Sequence, residues 1–340
     1  MEHRVLGRSG LQVSRFGLGT MVLGAWGNTD RDECRRIINE ALDAGVNLVD
    51  TADMYAAGEN EQIVGEAIAS RRDDIVLCTK FHHPVGEHDD PNRRGNSRRW
   101  IMAAIDDSLR RLGVDHVDLY QVHRPDPDTA IDETVAALND LVTAGKIRAW
   151  GTSTFPAEQL VEAHWAADRR GLVGPHTEQP PYSIFSRGVE NSVLPTARRY
   201  GMGVLVWSPL AGGWLTGKYR RGESAPPGSR ADTNPDHFDV GNEAKFDAAE
   251  RLAAIADDAG VSLTHLALAW VVEHPAVTAA LIGPRTIDQL HDLLGAAELR
   301  LDAATLDAID EVVAPGRNLN HDDAGWTPPD LDASRRRRPR

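Results

Sequence analysis

The chain has 340 residues, 41% hydrophobic and 26% charged, enough to bury a full core as one large barrel or two modest domains. Its 51 acidic residues against 37 basic ones leave a net charge of −14, which argues against general nucleic-acid binding and for small-molecule partners. No stretch approaches the roughly 20 apolar residues of a membrane span, the N-terminus lacks an apolar signal-peptide core, and Cys34 and Cys78 share no metal or redox spacing, so a cytoplasmic protein with two reduced thiols is expected.

In chain order, Val5-Leu6 and residues 11–13 flank Gly7-Arg8-Ser9-Gly10, a hairpin signal expected to plug one end of the fold. Residues 15–21 (RFGLGTM) read as a first core strand. Gly17 and Gly19 begin a dinucleotide fingerprint, but position 22, where a third glycine belongs, is Val22, and the Rossmann reading falls. Residues 30–44, entered through Asn28-Thr29-Asp30, set Ile37, Ile38, Ala41 and Leu42 on one helical face. Residues 46–55 (VNLVDTADMY) then run from a buried strand into Asp50, with Tyr55 five residues on.

Two further runs end the same way. After a helix at 59–69, residues 75–80 (IVLCTK) finish on Lys80; after a helix at 97–112 stopped by Gly113, residues 117–123 (VDLYQVH) finish on His123. Titratable groups at three consecutive strand ends are costly unless used, and the spacing leaves room for a helix after each strand. Parallel strands need such crossovers, and eight of them closing into a ring bring every carboxyl end to one face, where barrel enzymes keep their active sites. The repeat continues through a helix at 129–143, strand 147–151, helix 156–167, strand 177–179, helix 191–200 and strand 203–207. Residues 215–242, rich in Gly, Pro and charge, are too long for an ordinary connection and read as a functional lid. Helices at 243–259 and 262–274, strand 278–282 and helix 286–294 complete the count, and 302–313 is an extra helix. The expected fold is α/β, a (β/α)8 TIM barrel with an N-terminal β-hairpin and an extra C-terminal helix. One domain spans 1–315. The tail 316–340 is expected to be partly disordered, its arginine-rich end (335–340) a solvated terminus without function.

Asp50-Thr51-Ala52 with Tyr55, Thr79-Lys80, and Asp118-Leu119-Tyr120 with His123 resemble the aldo-keto reductases, and the similarity runs on through Gly151-Thr152-Ser153, Gln179, Trp207-Ser208-Pro209-Leu210 and Gly283-Pro284-Arg285. The resemblance implies an NADPH-dependent reductase of aldehydes or ketones. In it, Gly19, Thr20 and Met21 lie under the nicotinamide ribose, Ser153, Thr154 and Gln179 hold the carboxamide, and Trp207 stacks on the ring. Ser208, Pro209, Leu210 and Gly212 wrap the pyrophosphate, with Lys218 adding charge and the lid covering the cofactor. Gly283, Arg285, Thr286 and Gln289 face the adenosine 2′-phosphate at a helix start, Arg230 is a second cation for it, and Asp292 lies near adenine. The family often has asparagine next; this chain has Leu293, so one adenine contact does not carry over.

Reduction leaves an oxyanion that must be protonated, and Tyr55 is the expected acid. Lys80 is expected to lower the phenol's pKa, Asp50 to keep Lys80 charged in a dry site, and His123 to hydrogen-bond the carbonyl oxygen. Trp26, His82, His83 and Trp214, with Tyr55 and His123, are expected to line the substrate pocket. His82, His83 and His88 with Asp89 and Asp90 lack the fixed spacing of closed coordination, so no metal is expected. No Gly-x-Ser-x-Gly or His-Glu-x-x-His occurs to anchor a hydrolase. The rival readings are a metal-using barrel hydrolase and a cofactor-binding regulatory subunit, since some relatives of this barrel serve ion channels and can alter the histidine position. The natural substrate and the oligomeric state stay open.

Overall fold

Eight short runs form a closed parallel barrel in chain order: β3 (Phe16–Gly19), β4 (Leu48–Asp50), β5 (Val76–Phe81), β6 (Val117–Val122), β7 (Ile147–Ser153), β8 (Thr177–Gln179), β9 (Gly203–Val206) and β10 (Ala279–Ile282). The ring is sealed by β10 against β3, with Ala280 opposite Phe16 and Ile282 opposite Leu18. The computed structural model describes residues 1–87, 89–233, 238 and 241–331.

Strands such as β4, β5 and β9 are buried on both faces, which is why they read as mostly apolar runs rather than alternating ones. One face points into the barrel, where Leu48, Val76, Cys78, Leu119, Ala149, Leu205, Ala279 and Leu281 pack with Leu6 and Val13. Those last two belong to the hairpin β1 (His3–Val5) and β2 (Gln12–Ser14), which closes the barrel's N-terminal end. The plug fits tightly: a Cβ on Gly7, whose φ is +56°, would lie 2.3 Å from Gly203 N and 2.8 Å from Gly201 O.

The other face packs on a ring of helices: α1 (Arg31–Asp43), α2 (Glu59–Ile68), α3 (Arg98–Leu112), α4 (Ile131–Thr143), α5 (Ala157–Arg169), α6 (Val193–Tyr200), the single turn α7 (Arg230–Thr233), α8 (Glu243–Asp258), α9 (Leu263–Glu273) and α10 (Ile287–Leu294). The expected starts and stops are in place. Asp30 accepts from Asp32 N and Glu33 N, Ser97 from Trp100 N, and Gly113 ends α3 at φ +67°. The extra helix is α11 (Ala303–Val312). Both cysteines are free and buried, and among the described residues no single helix is long and apolar enough to cross a membrane.

Residues after 315 are more firmly attached than a tail sparse in apolar residues suggested. Leu319 N donates to Phe185 O at 2.9 Å, Asn318 bridges Ser186, and Asp323 pairs with the buried Lys245 at 2.8 Å. This lays Gly325 against the edge of Trp207: a Cβ there would meet Trp207 Cζ2 at 2.8 Å and Thr154 Cγ2 at 3.1 Å. The arginine-rich end lies outside the described residues.

Candidate active site

Asp50 ends β4, Lys80 lies one residue from the end of β5, and His123 follows β6, so the parallel ring brings all three to its C-terminal face. Lys80 is 0% exposed. Its Nζ has three protons and three acceptors: Asp50 Oδ2 at 2.6 Å, Thr51 O at 2.8 Å and Tyr55 Oη at 3.3 Å. Burial, the largest single influence, would discharge the amine, but the charge and hydrogen bond of Asp50 together with Tyr55 and Cys78 outweigh it and raise Lys80 above the ordinary lysine value. The second Asp50 oxygen accepts from Gln179 Nε2 at 2.9 Å, leaving neither oxygen unpaired.

Tyr55 is aimed by a strained turn. Ala56 (φ 47°) and Ala57 (φ 53°) are left-handed, followed by Gly58 (φ 92°). Each alanine in that region costs roughly 1–2 kcal/mol, so surrounding contacts must hold the turn. One correction concerns its acidity. Burial raises the phenol's pKa, Asp50 adds to the rise, and Lys80 only partly offsets them, so the net shift is upward rather than downward. The phenol therefore keeps its proton through the neutral range.

His123 N donates to Phe81 O at 2.9 Å, and its ring meets Tyr55 edge-on at 5.9 Å and His83 at 5.1 Å. Burial, then the charges of Lys80 and Arg124, hold its pKa well below the usual imidazole range, which makes it a neutral ring. Its Nδ1 is buried without a partner among the described residues.

Several positioning residues left no signal in the sequence. Asn60, fully buried at the start of α2, donates to Thr20 O (2.7 Å) and Leu23 O (2.6 Å) and accepts from Thr51 Oγ1 (2.6 Å). It ties the loop after β3 to the turn after β4. The next residue, Glu61, binds Thr79 Oγ1 at 2.6 Å and Arg111 Nε at 2.7 Å, bracing β5 beside Lys80. Polar residues at a helix start normally face water, so neither stood out. Arg124 also went unnoticed; its guanidinium lies over the Trp207 ring, 5.9 Å from the centre.

Of the residues expected at the pocket, Trp26 is 49% exposed with its ring 5.9 Å from that of Tyr55, and His83 touches His82 and His123. His82 instead shares a hydrogen bond with Asn96 Oδ1 at 2.9 Å through Nδ1. Trp214 is a correction. It is 1% exposed and packs on Phe246 (4.9 Å), Tyr219 (5.3 Å) and Phe185 (6.5 Å), so it anchors the long loop instead of lining a pocket. Trp214→Ala is accordingly expected to cost about 3–5 kcal/mol, a fall in Tm of about 4–7 °C by calorimetry. Trp26→Ala should leave Tm alone and change KM for carbonyl substrates; the reverse pattern would return Trp214 to the pocket. His88 lies outside the described residues, and among those described no three His, Cys, Asp or Glu side chains gather as a metal site.

Several of the expected cofactor residues neighbour one another. Gly19 pairs with Asp50 across β3 and β4, Thr20 is buried and Met21 half-buried beside them. Ser153 Oγ donates to Gln179 O at 2.9 Å, with Thr154 next to it. From Trp207 the chain turns through left-handed Ser208, Ala211, Gly212 and Gly213, past Pro209 and Leu210. A Cβ on Gly213 would come within 2.5 Å of Lys218 Nζ, so only glycine lets the ammonium approach the backbone here. Burial, then Arg285 and Arg230, depress Lys218 below the ordinary lysine value. Among the described residues none of these three cations has a carboxylate within 4.0 Å, and Trp207 Nε1 is buried unpaired.

Beyond them, a Cβ on Gly283 would stand 3.7 Å from Gly19 O, an ordinary contact, Thr286 caps α10 by accepting from Gln289 N, and Gln289 Oε1 accepts from Arg285 N at 2.8 Å. Thr286 and Gln289 are thus engaged in shaping the helix start. Arg285 donates to Gly228 O of the long loop, and Asp292 faces His265. Unpaired cations, an orphaned indole N–H and a glycine-lined turn fit a phosphorylated, aromatic cofactor.

The family model of the Aldo/keto reductase family matches residues 15–314. The "Uncharacterized oxidoreductase YrpG" of Bacillus subtilis is 40% identical over 321 residues, 92% of this chain and 96% of that protein. A "Probable voltage-gated potassium channel subunit beta" of Arabidopsis thaliana is 40% identical over 325 residues, 92% and 97% of the two chains. The "Aldo-keto reductase YhdN" of B. subtilis is 37% identical over 299 residues, 86% and 88%.

Proposed function

The chain belongs to the aldo/keto reductase family, and from that premise we propose that it is an NADPH-dependent enzyme reducing an aldehyde or ketone to the alcohol, with Tyr55 as general acid. The observation that carries the reading is Lys80 Nζ, fully buried yet charged, joined at once to Asp50 and to the Tyr55 phenol. Bound NADPH supplies the hydride. The Tyr55 phenol gives its proton to the carbonyl oxygen, and the adjacent ammonium stabilises the phenolate left behind. Neutral His123 orients that oxygen through a ring N–H. Trp207, Ser153, Thr154 and Gln179 would hold the nicotinamide end, and Lys218, Arg230 and Arg285 the phosphates.

Three of the similar proteins carry the name of potassium channel subunit beta, which keeps a cofactor-binding subunit with slow turnover as the second reading. His123 standing against Tyr55 favours the enzyme. NADPH consumption measured with a generic aromatic aldehyde is the test: saturable turnover is expected, whereas tight NADPH binding with no aldehyde-dependent consumption would favour the subunit. The cytoplasmic setting is part of the same proposal.

A further inference from the structure

Two arginines beside the active site form no ion pair within 4.0 Å among the described residues. Arg124 Nη1 donates only to His123 O, at 2.6 Å, and its guanidinium rests over Trp207. Arg94 makes no hydrogen bond or ion pair among the described residues. Asp126 and Glu178 have other hydrogen-bond donors, although the Glu178 charge is felt by Arg124 without an ion pair forming. Asp126 accepts from Asn96 N (2.8 Å), Thr129 Oγ1 (2.7 Å) and Asp128 N (3.0 Å); Glu178 accepts from Thr152 Oγ1 (2.5 Å) and Phe155 N (3.1 Å).

Both arginine charges reach His82 and His83. Burial holds both imidazoles below their ordinary pKa, His83 at about 4 with the neighbouring positive charges adding to the fall, while at His82 Asn96 and Asp126 only partly oppose it, so neither ring adds charge at neutral pH. His83 sits between His82 and His123, and His123 touches Tyr55. A line of contacts therefore runs from the rim to the phenol, flanked by two unpaired guanidiniums, in a chain whose net charge is −14. The cofactor cations form a separate group: Lys218 feels Arg285 and Arg230, with no contribution from Arg94 or Arg124.

A guanidinium held beside a reaction centre without a carboxylate is arranged to receive one. We propose that Arg124, with Arg94 outside it, forms an anion subsite of the substrate pocket, so that the preferred carbonyl substrates carry a carboxylate or a phosphate close to the reacting carbonyl. The inference rests on the reductase reading and narrows its substrate class. Arg124 is a specificity residue here; the acid remains Tyr55.

The test compares matched pairs: 4-carboxybenzaldehyde against its methyl ester, and glyceraldehyde 3-phosphate against glyceraldehyde, each with NADPH. A charge-assisted contact corresponds to about one to two decades in affinity, so kcat/KM should favour the charged member of at least one pair by about 10- to 100-fold. The pair that discriminates tells carboxylate from phosphate. In Arg124→Met the ratio within that pair should fall at least tenfold, mainly through KM, and added salt should erode it in the wild type. The two ratios are internal to one protein sample, so partial misfolding does not mimic the result. No preference in the wild type, or an unchanged ratio in Arg124→Met with a raised KM for NADPH, would overturn the subsite and make Arg124 a brace for Trp207 or the cofactor. Absence of NADPH consumption with all four compounds would refute the reductase reading instead. In that event calorimetric titration of benzoate against benzamide still decides the subsite: it stands if benzoate alone binds and Arg124→Met weakens it at least tenfold, and falls otherwise.

Discussion

Tyr55→Phe should bind NADPH as the wild type does, by fluorescence titration, and lose turnover almost completely. The substitution removes one hydroxyl from a ring whose contacts with Trp26 and His123 are unchanged in kind. It deletes the proton that the product oxygen needs, and general acid catalysis contributes about 10²–10⁴-fold. Retention of more than about a tenth of kcat would remove Tyr55 from the role of acid. The direction of the phenol's shift adds a second reading. Because burial raises its pKa above the ordinary tyrosine value, the acid form persists until pH passes that raised value. The reductive rate should therefore stay flat from about pH 6 to 9 and fall only above about pH 10. His123 adds no limb between pH 6 and 7, since its titration lies well below that range. A reductive rate falling with a midpoint near pH 7 would show that another group supplies the proton.

Arg285→Ala should raise KM for NADPH by about one to two decades and leave KM for NADH nearly unchanged. Lys218, Arg230 and Arg285 stand together without a carboxylate partner among the described residues, and like charges so placed repel until an anion enters. A 2′-phosphate supplies that anion, whereas NADH offers a hydroxyl. A charge-assisted contact is worth roughly 1.5–3 kcal/mol, which sets the size of the effect. Arg285 also donates to Gly228 O and so steadies the long loop. Equal losses with both cofactors would assign it that structural duty alone, and a wild-type preference for NADH would remove the NADP(H) assignment altogether.

The barrel was legible because its signals are local. Asp30, Ser97 and Gly113 mark helix ends through one or two bonds within the same turn, and the strands show as short apolar runs between turn residues. The strand-end positions of Asp50, Lys80 and His123 follow from that count. What local pattern cannot carry is the identity of distant neighbours. Trp214 lies in a loop rich in glycine and charge and reads as a rim residue; its actual neighbours, Phe185 and Phe246, come from either side of the long loop. Asn60 and Glu61 look like solvent-facing first-turn residues, yet the packing of α2 on the barrel mouth buries both. The sign of the Tyr55 shift was missed for a related reason. The charge of Lys80 is visible in the sequence, but the depth of burial that opposes it is a property of the assembled site.

The seam between β10 and β3 has a consequence for the order in which the protein is made. Asp50, Tyr55, Lys80 and His123 all lie in the first 123 residues, yet the ring that encloses them closes only when Ala280, Leu281 and Ile282 lie down beside Phe16, Gly17 and Leu18. The hairpin waits as long, since Arg4 reaches Val272 O, 268 residues away. Until that seam forms, water would have access to Lys80, and its bond to Asp50 would be one more exposed ion pair, worth little. Contacts this distant in sequence form slowly. The two ends of the barrel meet last, so a refolding experiment that follows the titration of Lys80 would time that meeting.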